Sequence, residues 1–239
     1  MKLRFAVVTS ALMVFIMILC SCSGEKQGSV AAGAESGKKY IALTFDDGPY
    51  TPVTNKILDV LADNNAKATF FIVGNRAELY PESVKRAYEM GCEIGNHTYS
   101  HADLCSKSHA TIQKELRMCS HVIYNITGAG EKLFRPTGGK NDSTLRCDAH
   151  MPLILWSVDT MDWSHQNSQK TVKNVLDNVC DGSIILMHDL IPSTADACRI
   201  LVPELKKRGY ELVTVSELME INGITMTPGE KYFKAAATA

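Results

Sequence analysis

Short apolar runs alternate with amphipathic stretches along most of the chain, from residue 39 onward. The runs are rich in β-branched and aliphatic residues and predict strands at residues 40–45, 68–73, 92–96, 133–135, 152–158, 183–187 and 211–215. Apolar residues at helical spacing predict helices at residues 53–64, 77–90, 111–126, within 142–149, 171–179, 195–208 and 216–220. Because the strands are unbroken apolar runs, both faces of the sheet should be covered.

The alternation amounts to about seven βα units, which predicts an α/β fold with a parallel sheet. The polar residues of chemical interest follow the carboxyl ends of the strands: Asp46, His97, Arg135, Asp159 and His188. Active sites form at this edge in a (β/α) barrel, and ligands also bind there in an open doubly wound sheet. Periodicity alone leaves both architectures open.

The N-terminal segment has the layout of a secretory signal, with two positive charges in residues 1–4 and a nearly continuous apolar run over residues 5–19. The sequence Leu-Cys-Ser-Cys that ends at Cys22 resembles a bacterial lipobox. A plain transmembrane anchor is the alternative, but the apolar run is short for a bilayer span. We therefore expect a lipoprotein signal peptide at residues 1–21, lipid modification of Cys22, and export to the outer face of the bacterial cell membrane.

The remainder divides into three parts by composition. Residues 22–38 are rich in Gly, Ala, Ser, Glu and Lys and predict a flexible tether. Residues 39–220 contain the βα units and predict one catalytic domain, followed by a peripheral C-terminal tail at residues 221–239.

The overall composition is that of an ordinary globular protein, with 45% hydrophobic and 21% charged residues in 239. The formal net charge is -1 and no block of like charge is present, which argues against a nucleic-acid partner. A neutral or weakly charged substrate fits this balance better, and we expect a monomer.

Six cysteines follow Cys22 and contain no C-x-x-C spacing: Cys92, Cys105, Cys119, Cys147, Cys180 and Cys198. A zinc knuckle or a thioredoxin-like motif is therefore not expected. Export and an even number would permit disulfides, but we favour free thiols that pack as small hydrophobic side chains.

Two acidic residues and two histidines supply the ligand types of a catalytic zinc-like site. Asp46 and Asp47 end the first predicted strand, and His97 and His101 lie four residues apart. Such a site takes three protein ligands and leaves positions open for water and substrate. With Asp47, His97 and His101 as ligands, Asp46 is a spare carboxylate suited to act as a general base. Asp-Asp-Gly-Pro alone is also a common turn, and only the combination favours a metal site.

Five ordered motifs complete the pattern: TFDDGP at residues 44–49, HTYSH at 97–101, FRPTGG at 134–139, DTMDW at 159–163 and ILMHD at 185–189. Over residues 39–220 the chain resembles the polysaccharide deacetylases of carbohydrate esterase family 4, the NodB-homology domain, and among them the peptidoglycan N-acetylglucosamine deacetylases. The resemblance implies a distorted (β/α)7 barrel, one divalent metal ion, zinc or cobalt, and hydrolysis of acetyl groups on sugars.

The resemblance also implies a role for each motif residue. Asp47, His97 and His101 would be the metal ligands. Asp46 would be the base, oriented by Arg135, and His188 would be the acid, oriented by Asp159. Trp163 and Leu186 would form the wall around the acetyl methyl group. An amide needs a polarised carbonyl, an activated water and a proton for its nitrogen, which matches these roles. Each of three residues also has an alternative interpretation without a catalytic role: Arg135 as a surface residue, and Trp163 and His188 as core residues. Asp162 is interpreted either as structural or as a residue that supports the site through another side chain.

The third motif departs from the family pattern, because Arg-Pro-Thr-Gly-Gly stands where Arg-Pro-Pro-Tyr-Gly is usual. In the family the tyrosine lends its backbone N–H to the oxyanion and its ring to the groove wall. Gly138 keeps an N–H and lacks the ring, so an oxyanion donor is expected and a weaker substrate grip is possible.

The sequence leaves several functions open. The leading interpretation is removal of N-acetyl groups from N-acetylglucosamine of peptidoglycan, and chitin oligomers or O-acetylated xylan are alternatives within the same chemistry. A non-catalytic glycan-binding lipoprotein is an alternative from another class, which the presence of both Asp46 and His188 opposes. A cytosolic amidase for small cyclic amides conflicts with the export signal.

Overall fold

The computed structural model describes residues 37–235. The predicted signal peptide, Cys22 and nearly all of the predicted tether lie outside these residues. Within the described part of the chain, no helix has the length and the apolar character that a membrane crossing requires.

The order of the elements follows the predicted alternation. The strands are β1 Lys39–Asp46, β2 Thr69–Ile72, β3 Glu93–Asn96, β4 Leu153–Ile154, β5 Val158–Asp159, β6 Ile184–His188, β7 Tyr210–Leu212 and β8 Lys231–Tyr232. The helices are α1 Thr51–Asp63, α2 Gly74–Leu79, α3 Pro81–Glu89, α4 His109–Thr127, α5 Ser143–Asp148, α6 Asp162–His165, α7 Ser168–Asn178, α8 Pro192–Lys207 and α9 Val215–Ile221. A single 3₁₀ turn covers Thr137–Gly139.

The strands close into a distorted barrel. The central strand β1 pairs in parallel with β6 from Ala42 to its end, with β2 over its last three residues and with β7 over its first three. Beyond β3, single bridges join Asn96 to Phe134 and Phe134 to Leu153 of β4. Since β4 and β5 are the two ends of one bent segment and β5 pairs with β6, the path returns to β1. The ring of pairings decides between the two predicted architectures and confirms the barrel.

The core lies between the barrel and the helices that surround it. Phe45 of β1 and Phe70 of β2 stack with ring centroids 5.1 Å apart, and apolar residues of α1, α3 and α8 cover this side of the sheet. The cysteines of the described region are free, and Cys92, Cys119 and Cys198 are buried as small apolar side chains.

Two predicted elements are interrupted in the structure. The helix predicted at residues 77–90 is two helices, α2 and α3, which meet at Pro81. A proline disfavours helical backbone in the residue before it, and Tyr80 indeed has φ -133°. The strand predicted at residues 152–158 is likewise divided into β4 and β5, because the chain bends there to close the barrel.

The segment after Gly223, expected to be a peripheral tail, is instead part of the barrel wall up to residue 235. Its strand β8 pairs in parallel with β4. The Ala235 N–H donates to the Gly182 carbonyl at 2.8 Å, and Ala235 is buried. These residues occupy the gap that the bend between β4 and β5 opens, and a two-residue strand leaves no recognisable period in the sequence.

Candidate active site

Nine of the ten predicted catalytic, ligand and substrate-binding residues of the domain line one cavity of about 340 Å³ at the carboxyl ends of the strands. They are Asp46, Asp47, His97, His101, Gly138, Asp159, Trp163, Leu186 and His188. The tenth, Arg135, is fully buried behind Asp46. The cavity also includes Trp156, which sequence reasoning missed because it fell inside a predicted strand.

Three side chains form a compact group of candidate metal ligands. One carboxylate oxygen of Asp47, Oδ1, lies 3.2 Å from His97 Nε2 and 2.9 Å from His101 Nε2. Ligand atoms around a tetrahedral zinc ion stand about 3.3 Å apart, given metal–ligand bonds of about 2.0 Å. The spacing therefore suits a divalent ion.

The protonation of the group also suits a metal. His97 Nδ1 lies 2.7 Å from the Arg135 carbonyl oxygen. Because a carbonyl only accepts, Nδ1 donates to it, and Nε2 is the ring nitrogen that faces Asp47 and would bind a metal once it has lost its proton. Burial raises the pKa of Asp47, but hydrogen bonds and charge from His101 and His97 outweigh burial and hold that pKa well below its ordinary value. Asp47 is thus ready to ligate as a carboxylate.

The backbone that carries these ligands has an unusual conformation. Asp47, Thr98 and His101 have φ values of 70°, 68° and 60°. Residues other than glycine rarely adopt this left-handed region, and positions held in it are frequently functional. Here the conformation turns both histidines and Asp47 toward the same point.

The turn between the two histidines is held by residues outside the ligand group. Glu115 of α4 accepts hydrogen bonds from the backbone N–H groups of Tyr99 and Ser100, at 3.1 and 2.9 Å, and from the Ser100 hydroxyl. The buried Asn96 side chain accepts from the Thr98 N–H at 2.9 Å. Glu115 was not predicted, since its role depends on how α4 packs rather than on a local motif.

Asp46 is paired with a fully buried arginine. Arg135 Nη1 donates to Asp46 Oδ1 at 2.8 Å and to the Thr44 hydroxyl at 2.7 Å. Its other donors reach the carbonyl oxygens of Ile154 and Leu155, both at 2.9 Å. The expected contact is present, and the alternative of a surface arginine is excluded. A buried pair of this kind is costly to break, because removing either partner leaves a buried charge.

His188 is oriented by Asp162, not by Asp159. Asp162 Oδ1 lies 2.7 Å from His188 Nδ1, while its Oδ2 accepts from the His188 N–H and from the Thr194 hydroxyl. Asp159 Oδ1 instead accepts from the Met161 N–H, 2.9 Å away, and Asp159 lines the cavity. Met161 has φ 55°, a left-handed conformation that changes the direction of the chain. As a result, Asp162 lies next to His188 at the end of β6.

The Asp162 contact determines the acidity of His188. Burial lowers the pKa of His188, but the hydrogen bond and charge of Asp162, with the charges of Asp46 and Asp47, outweigh burial and raise the pKa to about 9. Burial conversely raises the pKa of Asp162, but its contacts with His188 and Thr194 lower it overall. A bound cation would offset the charges of Asp46 and Asp47, whereas Asp162 would still favour protonated His188.

The opposite wall of the cavity is aromatic and more open. Trp163 is 53% exposed, which excludes the alternative that it is a core residue. Leu186 is buried on β6, and Trp156 covers Gly139 so closely that a Cβ there would lie 2.8 Å from the indole ring. Gly138 has φ 62°, and a Cβ placed on it would meet no atom within 4 Å.

Comparison with known proteins identifies the family. A family model described as polysaccharide deacetylase matches residues 33–151. A peptidoglycan-N-acetylglucosamine deacetylase of Bacillus cereus is 36% identical, over 82% of this chain and 95% of that protein. The chain belongs to the polysaccharide deacetylase family.

Other members of the polysaccharide deacetylase family are longer than this chain. Peptidoglycan-N-acetylmuramic acid deacetylase PdaC of Bacillus subtilis is 40% identical over 78% of this chain and 40% of that protein. Peptidoglycan-N-acetylglucosamine deacetylase PgdA of Listeria monocytogenes is 37% identical over 82% of this chain and 41% of that protein. The chain thus spans about two fifths of the length of these two relatives.

Solved structures in the family share the fold. A family 4 acetyl xylan esterase from Clostridium thermocellum, in complex with a cobalt ion, superposes with a TM-score of 0.78 at 34% identity, covering 82% of this chain and 98% of that one. A family 4 pseudoenzyme from Bacillus anthracis, BA3943, superposes with a TM-score of 0.72 at 27% identity, covering 78% and 67%.

Proposed function

We propose that the protein is a metal-dependent hydrolase that removes N-acetyl groups from a cell-surface glycan, with N-acetylglucosamine of peptidoglycan as the substrate. The observation that carries the proposal is the arrangement of two paired groups around one cavity. Asp46 with Arg135 lies beside the candidate ligand group, and His188 is held by Asp162. The names of the peptidoglycan deacetylases that resemble the chain support the choice of polymer.

Asp47, His97 and His101 would hold one divalent ion, zinc or cobalt, and the donor set fits either metal. When bound, the ion would polarise the acetyl carbonyl and make a water molecule more acidic. The complex of the related esterase with cobalt supports the choice of metal.

The chain's own residues divide the proton transfers. Asp46 accepts the proton of the attacking water, and Arg135 fixes its carboxylate in place. The protonated His188 imidazole then gives a proton to the leaving nitrogen, and Asp162 keeps Nε2 directed into the cavity by holding Nδ1. Trp163 and Leu186 border the space for the acetyl methyl group, and the Gly138 N–H is the proposed oxyanion donor.

Two alternatives are carried by specific observations. Deacetylation of O-acetylated xylan or of chitin oligomers uses the same groups, and the acetyl xylan esterase among the structural neighbours favours the first. A non-catalytic glycan-binding protein is a second possibility, since a family pseudoenzyme has the same fold. The intact pairs of Asp46 with Arg135 and of His188 with Asp162 oppose it.

The proposed location is the outer face of the cell membrane, with diacylated Cys22 as the anchor. A single acyl chain holds weakly, so stable attachment needs the double modification. Cys22→Ala should release active protein into the medium. Native protein recovered in soluble form, cleaved at another position, would contradict the anchor.

Acetate release tests the proposed activity. The metal-loaded protein is incubated side by side with peptidoglycan, chitin oligomers and acetylated xylan, and each reaction is repeated after chelation. We expect release from peptidoglycan to be fastest, to stop on chelation and to return with zinc or cobalt. Faster release from xylan would reassign the substrate, and no release from any polymer would favour the binding protein.

A further inference from the structure

A second cavity, of about 250 Å³, adjoins the catalytic one. The two cavities share Asp47 and His101 as lining residues. The remaining polar lining of the second cavity comes from Asn75 and Arg76 on α2 and from Ser100. A glycan whose acetyl group enters the catalytic cavity could therefore extend past Asp47 and His101 into this space.

Arg76 is the cationic residue of the second cavity, and it is half-buried. Within residues 37–235 its guanidinium has neither an ion pair nor a side-chain hydrogen bond. The carboxylate that lines the same cavity, Asp47, has His97 and His101 as its partners. A partly desolvated guanidinium without an acceptor is suited to bind a planar anion with two parallel hydrogen bonds.

We propose that this second cavity is an anion subsite, in which Arg76 binds a carboxylate carried by a sugar adjacent to the one that loses its acetyl group. The inference rests on the proposed deacetylation of a wall glycan and specifies its substrate as an acidic glycan. The ether-linked acid of N-acetylmuramic acid has the required carboxylate wherever it carries no peptide, whereas N-acetylglucosamine oligomers are neutral.

Charge around the metal site makes such a subsite useful. A bound cation would offset the charges of Asp46 and Asp47, so Asp159 remains as an acidic group that lines the catalytic cavity. Arg76 places a positive charge at the border of that cavity, where it would attract the carboxylate and fix the direction of the chain. The net charge of -1 favoured a neutral substrate, but net charge does not report the local arrangement.

Binding measurements with two tetrasaccharides test the subsite. One probe is the neutral N-acetylglucosamine tetramer, and the other alternates N-acetylglucosamine with N-acetylmuramic acid and has no peptides. The metal-loaded protein carries Asp46→Asn throughout, so that neither probe is consumed, and Kd is measured by calorimetry. Arg76→Gln is compared with Arg199→Gln, which removes the same charge from an exposed position on α8.

We expect Arg76→Gln to reduce the preference for the acidic probe about 10-fold, the size of one charge-assisted contact, and Arg199→Gln to preserve it. Amidation of the acidic probe should have the same effect as Arg76→Gln. Equal preferences in the two variants, or equal binding of the amidated and free probes, would overturn the subsite. Acetate release by the wild-type protein from the neutral tetramer is a separate readout, so failure of the subsite and failure of the proposed activity are distinguishable.

Discussion

The two sides of the catalytic cavity are built differently. On one side, the candidate ligands Asp47 and His101 have left-handed backbone, and the Glu115 carboxylate and the Asn96 side chain hold the turn between the two histidines by hydrogen bonds. On the other side, Gly138 has open space around it and Trp163 is half-exposed. Hydrolysis of an N-acetyl group needs the same few atoms whatever the glycan, whereas the glycan itself varies. The fixed side is therefore suited to the reaction and the open side to the choice of substrate.

Removal of a ligand on the fixed side should have the largest effect. We expect His101→Ala to lose stoichiometric zinc binding and nearly all acetate release, as measured by metal analysis and turnover of the same sample. His121→Ala, at an exposed position on α4, is the matched control. Full activity of His101→Ala without added metal would contradict the ligand assignment.

Metal binding by the wild-type protein should also weaken as the pH falls, because imidazole must be neutral to ligate. Burial lowers the pKa of His97, but Asp46 and Asp47 outweigh burial and raise it above the ordinary 6.5. A raised pKa means that protons compete already above pH 6.5. Calorimetric titrations with zinc across this range check the direction.

The next prediction compares Asp162 with Asp159 by their effects on the pH dependence of the rate. His188 is the proposed acid and works only while protonated, so the rate should fall as the pH rises through its raised pKa, which is about 9 without a metal and lower beside a bound cation. Asp162→Asn removes the main cause of this high pKa. The fall in rate at high pH, which is the upper limb of the pH–rate profile, should therefore move toward or below 6.5, the ordinary pKa of histidine. At pH 7 a pKa of 6.5 would leave about a quarter of His188 protonated, so the turnover should fall at least about 4-fold, and further because the imidazole loses the contact that orients it.

Asp159→Asn is the control for this comparison, because Asp159 contacts the Met161 N–H rather than His188. Its upper limb should stay near that of the wild-type protein. A shift of the upper limb in Asp159→Asn with none in Asp162→Asn would reverse the assignment.

A smaller effect is expected from the support beneath the ligands. In Glu115→Gln the charge is lost, and the one accepting oxygen of the amide cannot serve both the two backbone N–H groups, which share Oε2, and the Ser100 hydroxyl, which donates to Oε1. Loss of such support typically weakens metal affinity about 10- to 100-fold. Zinc competition assays should find this loss in Glu115→Gln and none in the neighbouring, exposed Lys114→Gln. Equal affinities would show that the turn keeps its shape without Glu115.

The smallest effect should come from the open side. Gly138 has φ 62°, a conformation that asparagine tolerates and that costs a β-branched residue about 1–2 kcal/mol. We expect Gly138→Asn to retain metal and turnover with a small change in KM, and Gly138→Val to be less active. Gly138→Pro is unsuitable for testing the N–H alone, because proline requires φ near -65°. Similar activity of the Val and Asn variants would show that the turn adjusts freely.

The fixed side could be predicted from the sequence because its geometry is local. Asp46 and Asp47 are consecutive, and His97 and His101 belong to one five-residue segment. The end of a parallel strand determines where such a segment lies. The same reasoning placed Arg135 correctly, since it also follows a short run of barrel residues.

The open side could not be predicted in the same way, because it depends on the path of the chain between motifs. Asp159 ends its strand and was chosen to orient His188, yet the left-handed turn at Met161 brings Asp162 to that place. Trp156 lies within the strand predicted at residues 152–158, and only the bend in that segment places its side chain at the cavity. The contact of Glu115 with the histidine turn depends on helix packing, which has no local sequence signal.

The most direct test of the account compares wild-type protein with Asp46→Asn, both loaded with zinc, on peptidoglycan. Metal content and acetate release are measured on the same samples. Because Asp46 is the proposed proton acceptor and not a proposed ligand, we predict one ion per chain in both proteins and a loss of turnover of about 10²–10⁴-fold in the variant. Wild-type rates in fully loaded Asp46→Asn, or no acetate from fully loaded wild-type protein, would contradict the account.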